Sequence, residues 1–347
     1  MNRLSNFIKE NTKFVCLVLC LILFISVILC IGIGPVQIDF KTVWTAIFNP
    51  NKLDEQNISN IVWFLRMPRV FLGVLVGAGL SISGVAMQAL TRNPLADPYI
   101  LGISSGAYFG AVLAIILRVF AVFGIFQVQI GAFCGSMLAI CIVYLLSKQF
   151  GSTAPMTLVL VGMAVSAMFG AFANFIVYEA PDDTKIRETS FWMLGGIAGG
   201  TWKELIPITI IVVISILIML CLSRPLNALM MGEDTAITLG VNLTLLRRIL
   251  IIITALLTGS LVAVAGCIGF VGLVVPHFIR AIVGAEHSKV VPLSAITGAI
   301  FMIWVDVGAR MLDVPKEIPI GILTSMIGAP LFLWLLKAKN YTFGEKS

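Results

Sequence analysis

Charge is scarce in this chain. Asp, Glu, Lys and Arg make up 12% of its 347 residues, about half the share usual in a soluble domain, while 59% is hydrophobic. No hydrophilic block is long enough to fold by itself; the longest polar connections are 39–62 and 179–190. There is no G-x-x-x-x-G-K-[ST] loop and no Gly-Lys dipeptide, which excludes nucleotide binding through a P-loop. H-E-x-x-H is missing too, and only His277 and His287 offer an imidazole. The seven cysteines (Cys16, Cys20, Cys30, Cys134, Cys141, Cys221, Cys267) fall in or beside apolar runs without a C-x-x-C pair. They read as buried small hydrophobes, and no metal site or cofactor is expected. No Lys/Arg-dense or aromatic-interleaved basic run marks a nucleic-acid surface.

What is present is a series of apolar runs. A bilayer-spanning helix needs roughly 20 mainly apolar residues. Ten candidates follow: 14–34, 63–90, 100–117, 122–147, 154–178, 204–222, 244–265, 268–283, 291–311 and 318–336. The eighth is the weakest, shortened by Pro276, His277 and Arg280. The first is longer than a signal-peptide core and lacks a clear cleavage site, so it reads as a retained helix. With the N-terminus inside, ten spans place 13 basic and 6 acidic residues on the inner side, against 10 and 11 on the outer. That bias follows the positive-inside rule and puts both termini in the cytoplasm. The expected fold is an all-α polytopic membrane protein of about ten transmembrane helices, one domain over 1–347. Its cytoplasmic ends would be 1–13 and 337–347.

Within that frame the segment from Arg66 to Ala107 stands out. Two arginines lead into a Gly/Ala/Ser-rich apolar helix, which Gln88, Arg92, Asn93, Pro94, Asp97 and Pro98 then interrupt. Small residues allow close helix packing in lipid, and a proline-broken polar stretch at membrane depth is tolerated only where protein or water shields it. Both features point to transport. A looser echo runs from Val262 to Phe270, with its break expected at Pro276–His277; paired broken helices in two halves mark transport pathways. The second polar connection is followed by Trp192, four glycines between Gly195 and Gly200, and Trp202. It reads either as a re-entrant element or as a loop with interfacial tryptophans. Inside, between the sixth and seventh spans, Pro225, Gly232, Glu233 and Gly240 punctuate two short helices with Leu229, Met230, Met231, Ile237 and Leu239 exposed. They form either a docking surface or an amphipathic connector. Asp306, four residues before Arg310 in an apolar run, is either half of a salt bridge or the ion site of a coupled carrier.

Several ordered strings carry a family resemblance from about residue 60 to 335: Arg66-Met-Pro-Arg69, Ser83-Gly84 with Gln88, Asn93-Pro-Leu-Ala-Asp-Pro98, Leu101-Gly-Ile-Ser-Ser-Gly106, Ser223-Arg-Pro225, Gly232-Glu233, Leu239-Gly240, Gly266-Cys-Ile-Gly-Phe-Val-Gly272, Pro276-His277, Arg280, Asp306, Arg310, Glu317-Ile-Pro-Ile-Gly321 and Gly328-Ala-Pro330. With these the chain resembles the FecCD-type ABC importer permeases, which carry ferric siderophores, cobalamin or haem into bacteria. The resemblance implies a type II ABC importer architecture in the bacterial cytoplasmic membrane. It also implies a second permease subunit, identical or similar, two ATPase subunits inside and a substrate-binding protein outside. By position it assigns binding-protein docking to Arg66, Arg69 and Arg310, for which snorkelling at helix ends is the plainer account. ATPase coupling falls to Arg224, Pro225, Gly232, Glu233, Leu239 and Gly240 within 223–243. The pathway and its gate fall to Gln88, Asn93, Ser152, Thr153 and Pro276; a helix-start cap accounts for Ser152 and Thr153 equally well. A ferric siderophore is the expected cargo, with haem or cobalamin as alternatives, and an ion-coupled carrier built on Asp306 is the rival mechanism.

Overall fold

A computed structural model describes residues 11–49, 56–150 and 154–338. Ser152 and Thr153 lie outside the described residues, as do 1–10 and 339–347. Each of the ten apolar runs forms a helix: α1 Thr12–Gly32, α2 Met67–Thr91, α3 Ile103–Ile115, α4 Gln127–Gln149, α5 Pro155–Tyr178, α6 Trp202–Cys221, α7 Leu243–Ala265, α8 Val271–Val283, α9 His287–Met311 and α10 Ile320–Ala338. No strand occurs among the described residues. Among the described residues seven helices are long and apolar enough to cross a membrane; α3, α8 and α10 are shorter apolar helices.

Composition decides which helix lies at the centre. The most apolar stretch of α2 is 83% buried, against 17% for α1, whose Leu and Phe side chains face outward. The small residues of α2 produce this difference. A Cβ at Gly77 would run into the Gly298 carbonyl of α9, and one at Gly84 into the Gly272 carbonyl of α8. Backbones this close maximise dispersion contact, which holds helices together where lipid competes for apolar surface. The buried hydroxyls of Ser83 and Thr258 add a 2.6 Å hydrogen bond between α2 and α7.

Polar connections are tied down by specific bonds. The glycine segment after the helix Asp183–Leu194 is docked: Gly196 N–H donates to Ala265 O at 2.8 Å, and Ile320 N–H to Gly195 O at 3.1 Å. Trp202 opens α6 behind a Thr201/Glu204 capping box, and its indole N–H donates to Trp63 O at 2.7 Å. Its polar edge is therefore spent on protein, not on the membrane interface.

Three expectations need correction. The second break falls at 266–270, between Gly266 (φ 67°) and Phe270 (φ 68°), whereas Pro276 lies inside α8. A proline leaves the carbonyl four residues earlier without its helical donor; here that is Gly272, the group pressed against Gly84, so α8 continues. Of the cysteines, Cys30 is buried, but Cys20, Cys134, Cys141 and Cys221 are exposed on the helix surfaces. The outer face of the bundle is apolar as well, so small hydrophobes fall there too. Leu229 is buried rather than exposed.

Candidate functional site: two ionic ends joined by a broken middle

At one end of α2 four charged residues interlock. Arg69 Nε donates to Asp306 Oδ1 at 2.9 Å, and its Nη1 to Glu317 Oε1 at 2.9 Å. Asp306 also pairs with Arg310 Nε at 3.1 Å, the i, i+4 bridge the spacing allows. Arg310 spends its remaining donors on Ile33 O (2.9 Å) and Cys30 O (3.1 Å). Arg66 spends its own on Ile31 O and Gly32 O, both at 2.8 Å, and on Val36 O. The cause is the end of α1: its last carbonyls have no helical partner and carry the negative end of the helix dipole, so two guanidinium groups cap them.

Arginines standing free at a helix end are therefore not what the structure shows. Arg66, Arg69 and Arg310 are all buried. Of the three, Arg69 reaches an opening, a depression of about 170 Å³ that it lines with Gly195, Ile197 and the half-exposed Glu317.

Midway, the two broken connections meet. Tyr99 O–H donates to Ile268 O at 3.0 Å, and Ile268 N–H donates back to the same oxygen at 3.1 Å. One phenol thus satisfies both backbone groups of a residue in the second break, as irregular backbone in a membrane requires. Asp97 caps the short 3₁₀ turn Pro98–Leu101 by accepting from Tyr99 N–H at 2.8 Å. Burial pushes its carboxyl up to about 6. Gln88 donates to Leu273 O of α8 at 3.1 Å and accepts from Arg280. Pro276 is buried on the same short helix. Asn93 joins this group only through its backbone N–H, which donates to Gln88 O at 3.1 Å; its exposed side chain holds its own turn by accepting from Leu95 N–H at 2.9 Å. Tyr99 had no cue in the sequence beyond its position in the interrupted segment.

The other end of α2 carries the segment after α6. It forms two helices, Ser223–Met230 and Glu233–Thr238, separated by Gly232 (φ 120°) and ended at Gly240 (φ 80°). Arg224, Pro225, Leu239 and Gly240 line one groove of about 450 Å³ with Leu222, Leu245 and Ile249. Met231, Ile237 and Leu239 stand exposed beside it. Glu233 bridges two helices, with Oε1 3.1 Å from Arg92 Nη2 beyond α2 and Oε2 2.7 Å from Arg247 Nη2 on α7. Asn227 Oδ1 accepts from His287 N–H at 2.9 Å and lies 2.8 Å from its Nδ1, at the start of α9. Neither Arg92 nor Asn227 was singled out for this end, because partners 141 and 60 residues away leave no local pattern.

The arrangement joins charged clusters at both ends through a middle of interrupted helices. Residues 21–338 match the FecCD transport family. The cobalamin import system permease protein of Halobacterium salinarum is 42% identical over 280 residues, 81% of this chain and 74% of that protein. The hemin transport system permease protein of Yersinia pestis is 37% identical over 326 residues, 92% and 95% respectively. A solved structure, described as an inward-facing ABC transporter of the metal-chelate type, superposes with a TM-score of 0.83 at 33% identity. It covers 94% of this chain and 99% of its own.

Proposed function

The chain belongs to the FecCD transport family and is an ABC importer permease of the cytoplasmic membrane; from that premise we propose that it carries a metal chelate, in the first instance a ferric siderophore. Relatives are import permeases for cobalamin, hemin, Fe(3+)-citrate and molybdate, and the solved neighbour is described as of metal-chelate type. Most of these cargoes are bulky metal complexes, and a metal that arrives already coordinated needs no ligands from the permease. Among the described residues no group of three His, Cys, Asp or Glu could hold a bare ion.

In this account the Glu233 end faces the cytoplasm and both termini lie there, as the basic bias suggests. Two ATPase subunits sit on the groove of Arg224, Pro225, Leu239 and Gly240 and on the exposed Met231 and Ile237. A second permease subunit completes the pathway, and a binding protein docks at the opposite end. There the depression holding Arg69 and Glu317 is the polar contact, while Arg66 and Arg310 act beneath it by fixing α1. Gln88 and Pro276 belong to the contact that must change when the pathway opens, together with Ser152 and Thr153 at its mouth.

The observation that carries the proposal is the end-to-end arrangement: a docking segment with exposed apolar side chains at one end of α2 and an ionic depression at the other. The ion-coupled alternative needs a carboxylate free to take up a cation, and Asp306 is held by two arginines. To test the cargo, the chain is expressed with its neighbouring ATPase and binding protein in cells lacking such importers. Uptake of labelled ferric siderophores, haem and cobalamin is then compared. Accumulation of a ferric siderophore supports the assignment; accumulation of haem or cobalamin alone replaces it.

A further inference from the structure

We propose that Arg92 and Asn227 are positioning residues that fasten the two docking helices to the α2–α9 pair, so that displacement at the docking end is delivered to the ionic end. The proposal rests on the ATPase-docking role of 223–240.

The helix Glu233–Thr238 has 6 residues. So short a helix has no stable position of its own, and exposed Ile237 and Leu239 do not supply one. Beside the buried Ala236, whose carbonyl accepts from Val241 N–H at 2.9 Å, what fixes it is Glu233, whose carboxylate is divided between Arg92 and Arg247. Arg92 is the C-cap of α2 and sits at φ 50°, ψ 30°. This left-handed position suits glycine and is disfavoured for a residue with a side chain. An arginine there is explained by its guanidinium, not by its backbone. The first docking helix, Ser223–Met230, is held differently. Asn227 caps the opening turn of α9 through the His287 N–H, and a backbone donor fixes the accepting atom as oxygen.

The second docking helix is thus tied to the end of α2 as well as to α7, the first to α9, and α2 and α9 are themselves joined. Gly77 and Gly298 let their backbones touch, and Arg69 of α2 meets Asp306 of α9 at the far end. Contacts this close have no slack to absorb a shift of the docking segment.

The test uses the complex of this chain with its ATPase and binding protein in proteoliposomes. Arg92→Gly removes the tie while favouring the left-handed cap, so a loss cannot be blamed on the helix end. Asn227→Leu removes the second tie. We expect ATPase association within about twofold of wild type, but roughly tenfold more ATP hydrolysed per cargo imported. Amides of 233–238 should exchange faster in Arg92→Gly, and Arg92→Lys should restore most of the coupling. Lost ATPase association, an unchanged ATP-to-cargo ratio, or unchanged exchange at 233–238 would overturn the proposal. A wild-type complex that imports nothing with ATP sinks the docking role instead, and the exchange comparison still decides whether Arg92 fastens the helix.

Discussion

Asp306 sits 1% exposed between Arg69 and Arg310, and its worth depends on the partners it would leave behind. Removing one member of a buried ion pair costs roughly 3–5 kcal/mol, because an uncompensated charge remains. Asp306→Ala is therefore expected to lower resistance to denaturation in mixed micelles by that order. Glu317→Gln, at a side chain 40% exposed, should cost no more than about 1 kcal/mol. Equal effects would mean that the buried bridge is not what holds α2 to α9. The i, i+4 partner of Asp306 was legible in the sequence, since helical spacing alone brings Arg310 to it. Arg69 was not, being 237 positions away. Nor was the burial of Arg66 and Arg310: their partners are backbone carbonyls, which no sequence pattern displays.

At the scale of elements, the glycines of α2 set how closely its neighbours approach. Gly84→Val should force α8 outward and cost roughly 1–3 kcal/mol by overpacking. Gly170→Ala on α5, where an added Cβ meets nothing within 4 Å, should be neutral or stabilise by up to about 1 kcal/mol. The same denaturation assay checks both, and a tolerated Gly84→Val would contradict the packing described. The segment joining α2 to α3 carries a pH signature. The Asp97 carboxyl at about 6 lies above its ordinary value near 4. The folded chain thus keeps a proton that the unfolded chain releases, so stability falls as pH rises from about 4 to 6 and stays lower above. Asp97→Asn should raise the melting temperature at pH 7.5, with the gain closing below pH 5; a gain independent of pH would exclude this cause. Apolar length and Gly/Pro punctuation revealed the helices and the first break. The second break was misplaced because Pro276 ordinarily signals one, whereas Gly84 accommodates the carbonyl it frees.

For the whole molecule, the ten apolar runs and the ordered family strings made the membrane class and the importer family readable before any coordinates. Which side faces the cytoplasm rests on the basic bias, and the cargo on likeness to relatives with differing cargoes. Neither is written into the packing of one chain. The central claim is that this permease moves its cargo only when an ATPase on the Glu233 end hydrolyses ATP. It is tested most directly by uptake into proteoliposomes that contain the chain, its ATPase and its binding protein, with ATP sealed inside or withheld. The account predicts uptake with ATP, none with a proton or sodium gradient alone, and uptake at roughly tenfold more ATP per cargo in Arg92→Gly. Uptake driven by an ion gradient without ATP, and abolished by Asp306→Asn, would contradict it.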